Sequence, residues 1–374
     1  MNQQHAIVIG AGIVGLSLTR ALHNKGWKVT VIERHPQAQG ASVRNFGMIW
    51  PIGQSQGSSF KRALRSRQIW LEMSEKAGFW AEKTGSLHLA YSDLELQVVK
   101  EYVEALQNQK SAHHLTVQET ISKSPATVIN GLKGALWSED EVIVDPREAI
   151  VKTAQHLERL EGVSFVWSRL ISRIKGNTVY SGQRSWSADK IFVCSGADFE
   201  TLYPDLFESF PITKCKVQMM RLVQQPLNWR IGPPLCAGLS FIHYKGFEVA
   251  PSLQKLKDVY MEQHKELLEL GIHVMVAQNG MGELTVGDSH DYGLNLSPFD
   301  AMHTNKLILN VLKSFAQFKD WNMGSTWHGI YPKMTNGATE FIFQVDNMVT
   351  IVNGLGGAGM TLSFGLGEEV VENI

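Results

Sequence analysis

The chain holds 374 residues, 44% of them hydrophobic, with 35 Lys and Arg against 36 Asp and Glu for a net charge of −1. That length buries a large core and predicts two intimately joined domains. The charge balance gives no electrostatic case for nucleic acid or an anionic membrane as partner, and no run of about eighteen apolar residues reads as a membrane span.

Residues 6–15 read Ala-Ile-Val-Ile-Gly-Ala-Gly-Ile-Val-Gly, and Glu33 closes the next apolar run, Lys28-Val-Thr-Val-Ile-Glu33, followed by Arg34. The stretch is interrupted by glycine and lacks a basic leader, so it reads as strand and helix rather than a signal peptide. Strand, glycine turn, helix, strand and acid form the arrangement that holds an ADP-type dinucleotide. Gly10 permits the tight turn, Gly12 lets backbone approach a pyrophosphate, and Gly15 lets the helix pack close to the strand. The helix start at Ile13 and Val14 offers N–H groups and a partial positive charge to phosphates. Glu33 is placed to accept hydrogen bonds from ribose hydroxyls and to disfavour a 2′-phosphate.

A loop, Gly40-Ala-Ser-Val-Arg-Asn-Phe-Gly-Met-Ile-Trp-Pro51, leads to a helix expected over about 60–77, where Lys61, Arg62, Arg65 and Arg67 read as a solvated face. Residues 85–90 alternate like a strand, and apolar spacing predicts a helix over 93–108. His113 and His114 read as part of a polar loop. Asp145 and Pro146 are a cap and first-turn pair opening another helix. Strands are expected at 163–167 and 190–197, and alternation returns over 214–221. A surface helix is expected over 252–270, then a hairpin, 272–277 and 284–287, turning at Asn279-Gly280. A helix follows over 301–315. The tail repeats the opening theme: a strand, Met348-Val-Thr-Ile-Val352, feeds Gly354-Leu-Gly-Gly-Ala-Gly-Met-Thr361 and a helix. Such a turn presents N–H groups able to stabilise negative charge.

The three cysteines, Cys194, Cys215 and Cys236, form no CxxC pair; they fit a reducing cytoplasm and read as small buried residues. No His, Cys, Asp or Glu spacing reads as a metal site.

In order along the chain, Gly10–Gly15 with Glu33-Arg34, Ala41-Ser-Val-Arg-Asn45, Val144-Asp-Pro146, Val193-Cys-Ser-Gly-Ala197, Thr326-Trp-His-Gly-Ile-Tyr-Pro332 and Gly354–Thr361 resemble the D-amino-acid oxidase, glycine oxidase and sarcosine oxidase family of FAD-dependent amine oxidoreductases. The resemblance covers almost the whole chain. It implies an α/β fold: a Rossmann-like FAD-binding domain over 1–80, 140–212 and 320–374, with a mostly antiparallel substrate domain over 81–139 and 213–319. It further implies an extended FAD contacted by Gly10, Gly12, Ile13, Val14, Gly15, Glu33, Arg34, Ser42, Arg44, Asn45, Ser195, Gly196, Ala197, Gly356, Gly357, Gly359, Met360 and Thr361. Some members attach flavin through a cysteine near the Trp-x-Gly segment; no cysteine follows Cys236, so non-covalent FAD is expected.

Glycine-oxidase-like members carry a carboxylate-clamping arginine just before the proline of this segment. Here that position is Tyr331, and Lys333 follows the proline; a planar clamp has become a phenol and a point charge. A simple amino acid is therefore in doubt, and a differently shaped anion such as a phosphonate suits Lys333, Arg44 and nearby histidines. Ala41–Met48 together with Val286-Gly-Asp-Ser-His290 also resembles a subgroup associated with aminophosphonate catabolism. The implied activity is oxidation of a C–N bond in a small anionic amine, with oxygen or another electron acceptor. Arg44, Lys333, Tyr331, His243 and His290 are the candidate residues around the reacting centre, and His328 lies in the Trp-x-Gly segment. A dehydrogenase of hydroxy acids or polyol phosphates, and a non-catalytic dinucleotide-binding protein, are the competing readings.

Overall fold

The computed structural model describes residues 3–106 and 111–374. Its first sheet lays Phe341–Gln344, Val349–Asn353, Lys190–Val193, His5–Ile9, Lys28–Ile32 and Val163–Val166 side by side in that order. The strands run parallel except Phe341–Gln344. They are apolar on both faces, as a covered parallel sheet requires. Ala6, Val8, Val29 and Val31 pack with Leu18, Leu22, Leu362 and Leu366 from two helices, Ile13–Asn24 and Gly359–Glu372. Ile7, Ile9, Ile32 and Ile191 face the other way, toward Ile171, Val179 and Phe199. A three-stranded antiparallel meander, Arg173–Lys175, Thr178–Ser181 and Arg184–Ser187, contributes to that side.

A second, nine-stranded sheet is antiparallel apart from the pairing of Leu235–Ala237 with Ser86–Ala90. Strand Ile212–Leu222 pairs with both Leu284–Gly287 and Met323–Met334. The register sets Cys215 opposite Tyr331 and Thr213 opposite Lys333. Strand Met323–Met334 thus belongs to the second sheet while its end reaches the first, through a bridge from Lys333 to Leu355. No helix among the described residues is long and apolar enough to cross a membrane.

Local expectations hold where a cap or turn specifies them. Asp145 accepts from Arg147 N at 3.0 Å and opens Pro146–Glu158. The hairpin forms with Gln278 opposite Leu284. The helix expected over 93–108 runs Asp93–Ala105, opened by a capping box between Ser92 and Glu95; its expected last two residues lie outside the described ones.

Three expectations need correction. The stretch 252–270 is two helices, Leu253–Gln263 and Lys265–Glu269, because His264 leaves the helical region at φ −129° and ψ 37°. His113 and His114 sit in strand Ala112–Leu115, not in a loop. Helix Ser58–Ala77 does not present a solvated basic face: Arg62 pairs with Glu369 and Glu340, and Arg65 with Glu368. The acidic residues of the C-terminal helix supply partners too distant in sequence to be anticipated.

Candidate functional site

At the end of the first strand Gly10 takes φ 106°, a conformation side chains rarely adopt, and a Cβ there would lie 2.4 Å from the Cys194 carbonyl oxygen. A Cβ on Gly15 would lie 1.9 Å from the Gly10 carbonyl oxygen, so the helix can start directly behind the turn. Glu33 is buried at 8% exposure. It accepts from Ala11 N at 2.8 Å through Oε2 and from His35 N at 3.0 Å through Oε1. Two backbone donors therefore fix the carboxylate while leaving further lone pairs for a ligand.

The turn opens into a cavity of about 590 Å³. Every cofactor candidate lines it except Gly15, whose part is helix–turn packing. Hydrogen bonding divides the others. Ser42 Oγ accepts from Ile13 N at 2.9 Å, capping the first helix and leaving its own proton for another acceptor. Asn45 Nδ2 donates to the Ala41 and Ser42 carbonyls, both at 2.9 Å, and its Oδ1 accepts from Gly47 N, so its amide braces the loop. Arg34 pairs with Asp198 at the cavity rim. Ser195 Oγ is buried with no hydrogen-bond partner.

On the C-terminal side Asn353 Nδ2 donates to the Gly196 carbonyl at 2.9 Å, tying the two strand ends together. Thr361 Oγ1 accepts from Trp50 N at 2.9 Å, and the Met360 carbonyl from Trp70 Nε1 at 2.7 Å. A Cβ on Gly356 would lie 3.7 Å from Lys333 Cγ, and one on Gly357 would lie 3.6 Å from the Tyr331 hydroxyl. The second glycine turn therefore rests directly on the two residues that replace the expected arginine clamp.

Lys333 Nζ donates to the Tyr292 hydroxyl at 3.2 Å, and burial lowers its pKa. Burial raises the Tyr331 phenol, with Cys215 and Asp288 adding to the shift, so the group is a neutral donor. Arg44 is exposed to the cavity and donates to the His328 carbonyl at 3.3 Å. His328 itself stays outside the cavity lining, held by Asp300 at 2.9 Å.

His243 and His290 meet a third imidazole, His273, that sequence reasoning missed. The His243 and His273 ring centroids are 3.6 Å apart, and His273 and His290 are 5.0 Å apart. His243 is open to the cavity while the other two are buried. Burial lowers His273 and His290 below the ordinary histidine range, His290 to about 4, and the Lys333 ammonium adds to it. His290 Nδ1 lies 2.8 Å from the Gly271 carbonyl. The neutral ring must donate there, which leaves Nε2 as a bare lone pair. Asp288, also buried, has Oδ1 3.5 Å from His273 Nε2 and Oδ2 3.9 Å from His290 Nε2; burial holds its carboxyl well above the usual range. No sequence signal marks His273, because its strand-side position is set by pairing across the second sheet.

One cavity is thus lined by both glycine turns and by the Glu33 carboxylate. The buried Ser195 hydroxyl, without a hydrogen-bond partner among the described residues, and the spare lone pairs of the Glu33 carboxylate suit FAD.

A family model described as FAD dependent oxidoreductase (DAO) matches residues 5–373. The bifunctional protein MnmC of tRNA 5-methylaminomethyl-2-thiouridine biosynthesis from Pseudomonas savastanoi pv. phaseolicola is 24% identical over 244 residues, 63% of this chain and 36% of that protein. The chain therefore spans about a third of that relative's length. Glycine oxidase from Bacillus cereus superposes with a TM-score of 0.77 at 16% identity, covering 99% of this chain and 94% of that one. L-alpha-glycerophosphate oxidase from Mycoplasma pneumoniae, solved with FAD bound, gives 0.74 at 17% identity, covering 100% and 96%. At those identities the two structures establish the fold.

Proposed function

The chain belongs to the DAO family of FAD-dependent oxidoreductases, and we propose that it oxidises a carbon–nitrogen bond in a small amine carrying an anionic group: an amino acid, an N-methyl amino acid or an aminophosphonate. FAD, held by the glycine turns and Glu33, would supply the two-electron oxidation and pass the electrons to oxygen or another acceptor, while hydrolysis of the oxidised amine would give a carbonyl compound and an amine or ammonia. The protein supplies alignment, an anion anchor and charge stabilisation.

One observation carries the substrate reading. Lys333 and Tyr331, on a strand of the second sheet, lie against the Gly356–Gly357 turn inside the cavity that also holds Arg44. A cation and a neutral phenol at that place anchor an oxyanion without the geometry of a bidentate carboxylate clamp. In this reading Gly10, Gly12 and the first-helix N-terminus, with Ile13 and Val14, face the pyrophosphate, and Glu33 takes the ribose hydroxyls. Ser195, Gly196 and Ala197, with Gly356, Gly357, Gly359, Met360 and Thr361, border the flavin. FAD is held non-covalently. Segments 1–80, 140–212 and 320–374 form the cofactor part and 81–139 with 213–319 the substrate part, strand Met323–Met334 linking them.

Anaerobic mixing of the purified flavoprotein with amino acids, N-methyl amines and aminophosphonates tests the proposal. The flavin band should bleach with an anionic amine. Bleaching by a hydroxy acid or polyol phosphate instead, or by nothing in the panel, would overturn it.

A further inference from the structure

We infer that His243, His273 and His290, backed by Asp288, bind a divalent transition-metal ion of the zinc class, whose open coordination positions face the cavity and take oxyanion oxygens. Each imidazole offers a ligand nitrogen, and these atoms lie within 4.8 Å of one another. Metal–nitrogen bonds of about 2.0–2.1 Å place tetrahedral ligands roughly 3.4 Å apart; the rings stack, at 30° between His243 and His273 and 18° between His273 and His290, so ligation requires the imidazoles to turn their nitrogen edges toward one ion. Three histidines with one position left open is a donor set that suits zinc and its neighbours.

Two buried atoms point to a ligand independently of the spacing. Among the described residues, His273 Nδ1 and Asp288 Oδ1 each have no hydrogen-bond partner, although His273 is 4% and Asp288 8% exposed. Leaving polar atoms buried and unpaired is costly, and a cation answers both. The tautomer is already set for His290, whose Nδ1 donates to the Gly271 carbonyl and whose Nε2 is therefore the free ligand atom; backing of this kind accompanies metal-bound histidine. Lys333 opposes a dication here, and Asp288 adds an oxygen donor beside the rings. Lys333 is committed to the Tyr292 hydroxyl, and Tyr244 is neutral. The chain spacing hides the set, whose three histidines lie 30 and 17 positions apart.

The inference goes beyond the amine reading and is tested without substrate. Holoenzyme cleared of metal by a chelator is titrated with Zn²⁺ in competition with a chromophoric chelator, and separately with Co²⁺, whose visible bands report nitrogen ligation. One ion per chain should bind, and His273→Ala and His243→Asn should each weaken it at least tenfold with the flavin spectrum unchanged. His243→Asn alters a cavity-facing ring and so guards against misfolding of the buried variant. Methylphosphonate or acetate should then perturb the Co²⁺ bands. Absence of stoichiometric binding, or equal affinity in both variants, would overturn the site. Binding with no response to either anion would overturn its role as an oxyanion acceptor. Failure of every amine to bleach the flavin would leave the ion titration standing.

Discussion

Glu33 already accepts two backbone N–H groups, so its carboxylate is fixed in orientation at the proposed ribose position. A charge-assisted hydrogen bond is worth roughly 1.5–3 kcal/mol. Glu33→Ala should weaken FAD binding about tenfold or more, while Glu33→Gln, which keeps an acceptor, should fall between. Flavin-fluorescence titration of apoprotein measures both, and unchanged affinity in a folded Ala variant would show the ribose is elsewhere. At the other end of the cavity, Lys333→Ala removes a half-buried cation beside Gly356. Leaving a desolvated anion unpaired costs roughly 2–5 kcal/mol, which at about 1.4 kcal/mol per decade predicts a loss of thirtyfold or more in kcat/KM. An analogue lacking the anion should lose far less, and FAD content should survive. Equal losses for both substrates would remove Lys333 from anion recognition. Arg44→Ala is expected to behave similarly, because the guanidinium keeps only a 3.3 Å contact to a carbonyl.

At the scale of elements, the C-terminal helix Gly359–Glu372 does the most joining. A Cβ on Gly367 would lie 2.8 Å from the Ser17 carbonyl carbon, and one on Gly365 would lie 2.7 Å from Arg62 Cγ. Small residues let this helix approach two others at once, and Arg20, Arg62 and Arg65 then reach Glu368 and Glu369. Gly367→Ala should destabilise the protein by roughly 1–3 kcal/mol through overpacking against backbone. Urea unfolding reads that loss, and an unchanged midpoint would show that the helices separate freely. Elements of this kind divide what is legible in sequence from what is not. Period, caps and glycine turns announced the first βαβ unit, the Asp145-capped helix, the hairpin and the closing turn, because each is set by neighbours in the chain. The Arg–Glu network and the break at His264 depend on contacts or local dihedrals that no periodicity encodes. Cavity lining was likewise legible for residues in glycine motifs. It was not legible for His273 and Asp288, which reach the same place from the second sheet, nor for the internal bonding of the Asn45 amide.

At the scale of the whole molecule, Glu141 ties the two halves together. Its Oε1 accepts from Ile52 N and its Oε2 from Ser86 Oγ, both at 3.0 Å, joining the loop after the glycine-rich segment to a strand of the second sheet. The side chain is fully buried, and that burial raises its pKa from 4.5 to about 7 against the opposing hydrogen bonds. A raised carboxyl is protonated in the folded state where the unfolded chain has already ionised. The stabilisation is therefore complete below pH 4.5, declines as pH rises and is gone above about 7. Two and a half pH units correspond to at most roughly 3.4 kcal/mol at 1.36 kcal/mol per unit. Glu141→Gln keeps the shape, one acceptor and a donor, but cannot ionise. Its stability relative to the natural protein should rise between pH 5 and about 7 and level off toward pH 8, since other titrating groups cancel in the difference. Urea titrations of both holoproteins at each pH provide the comparison. A difference that stays flat across that window would mean Glu141 ionises in the folded protein as it does in water, and that the junction between the two sheets is hydrated.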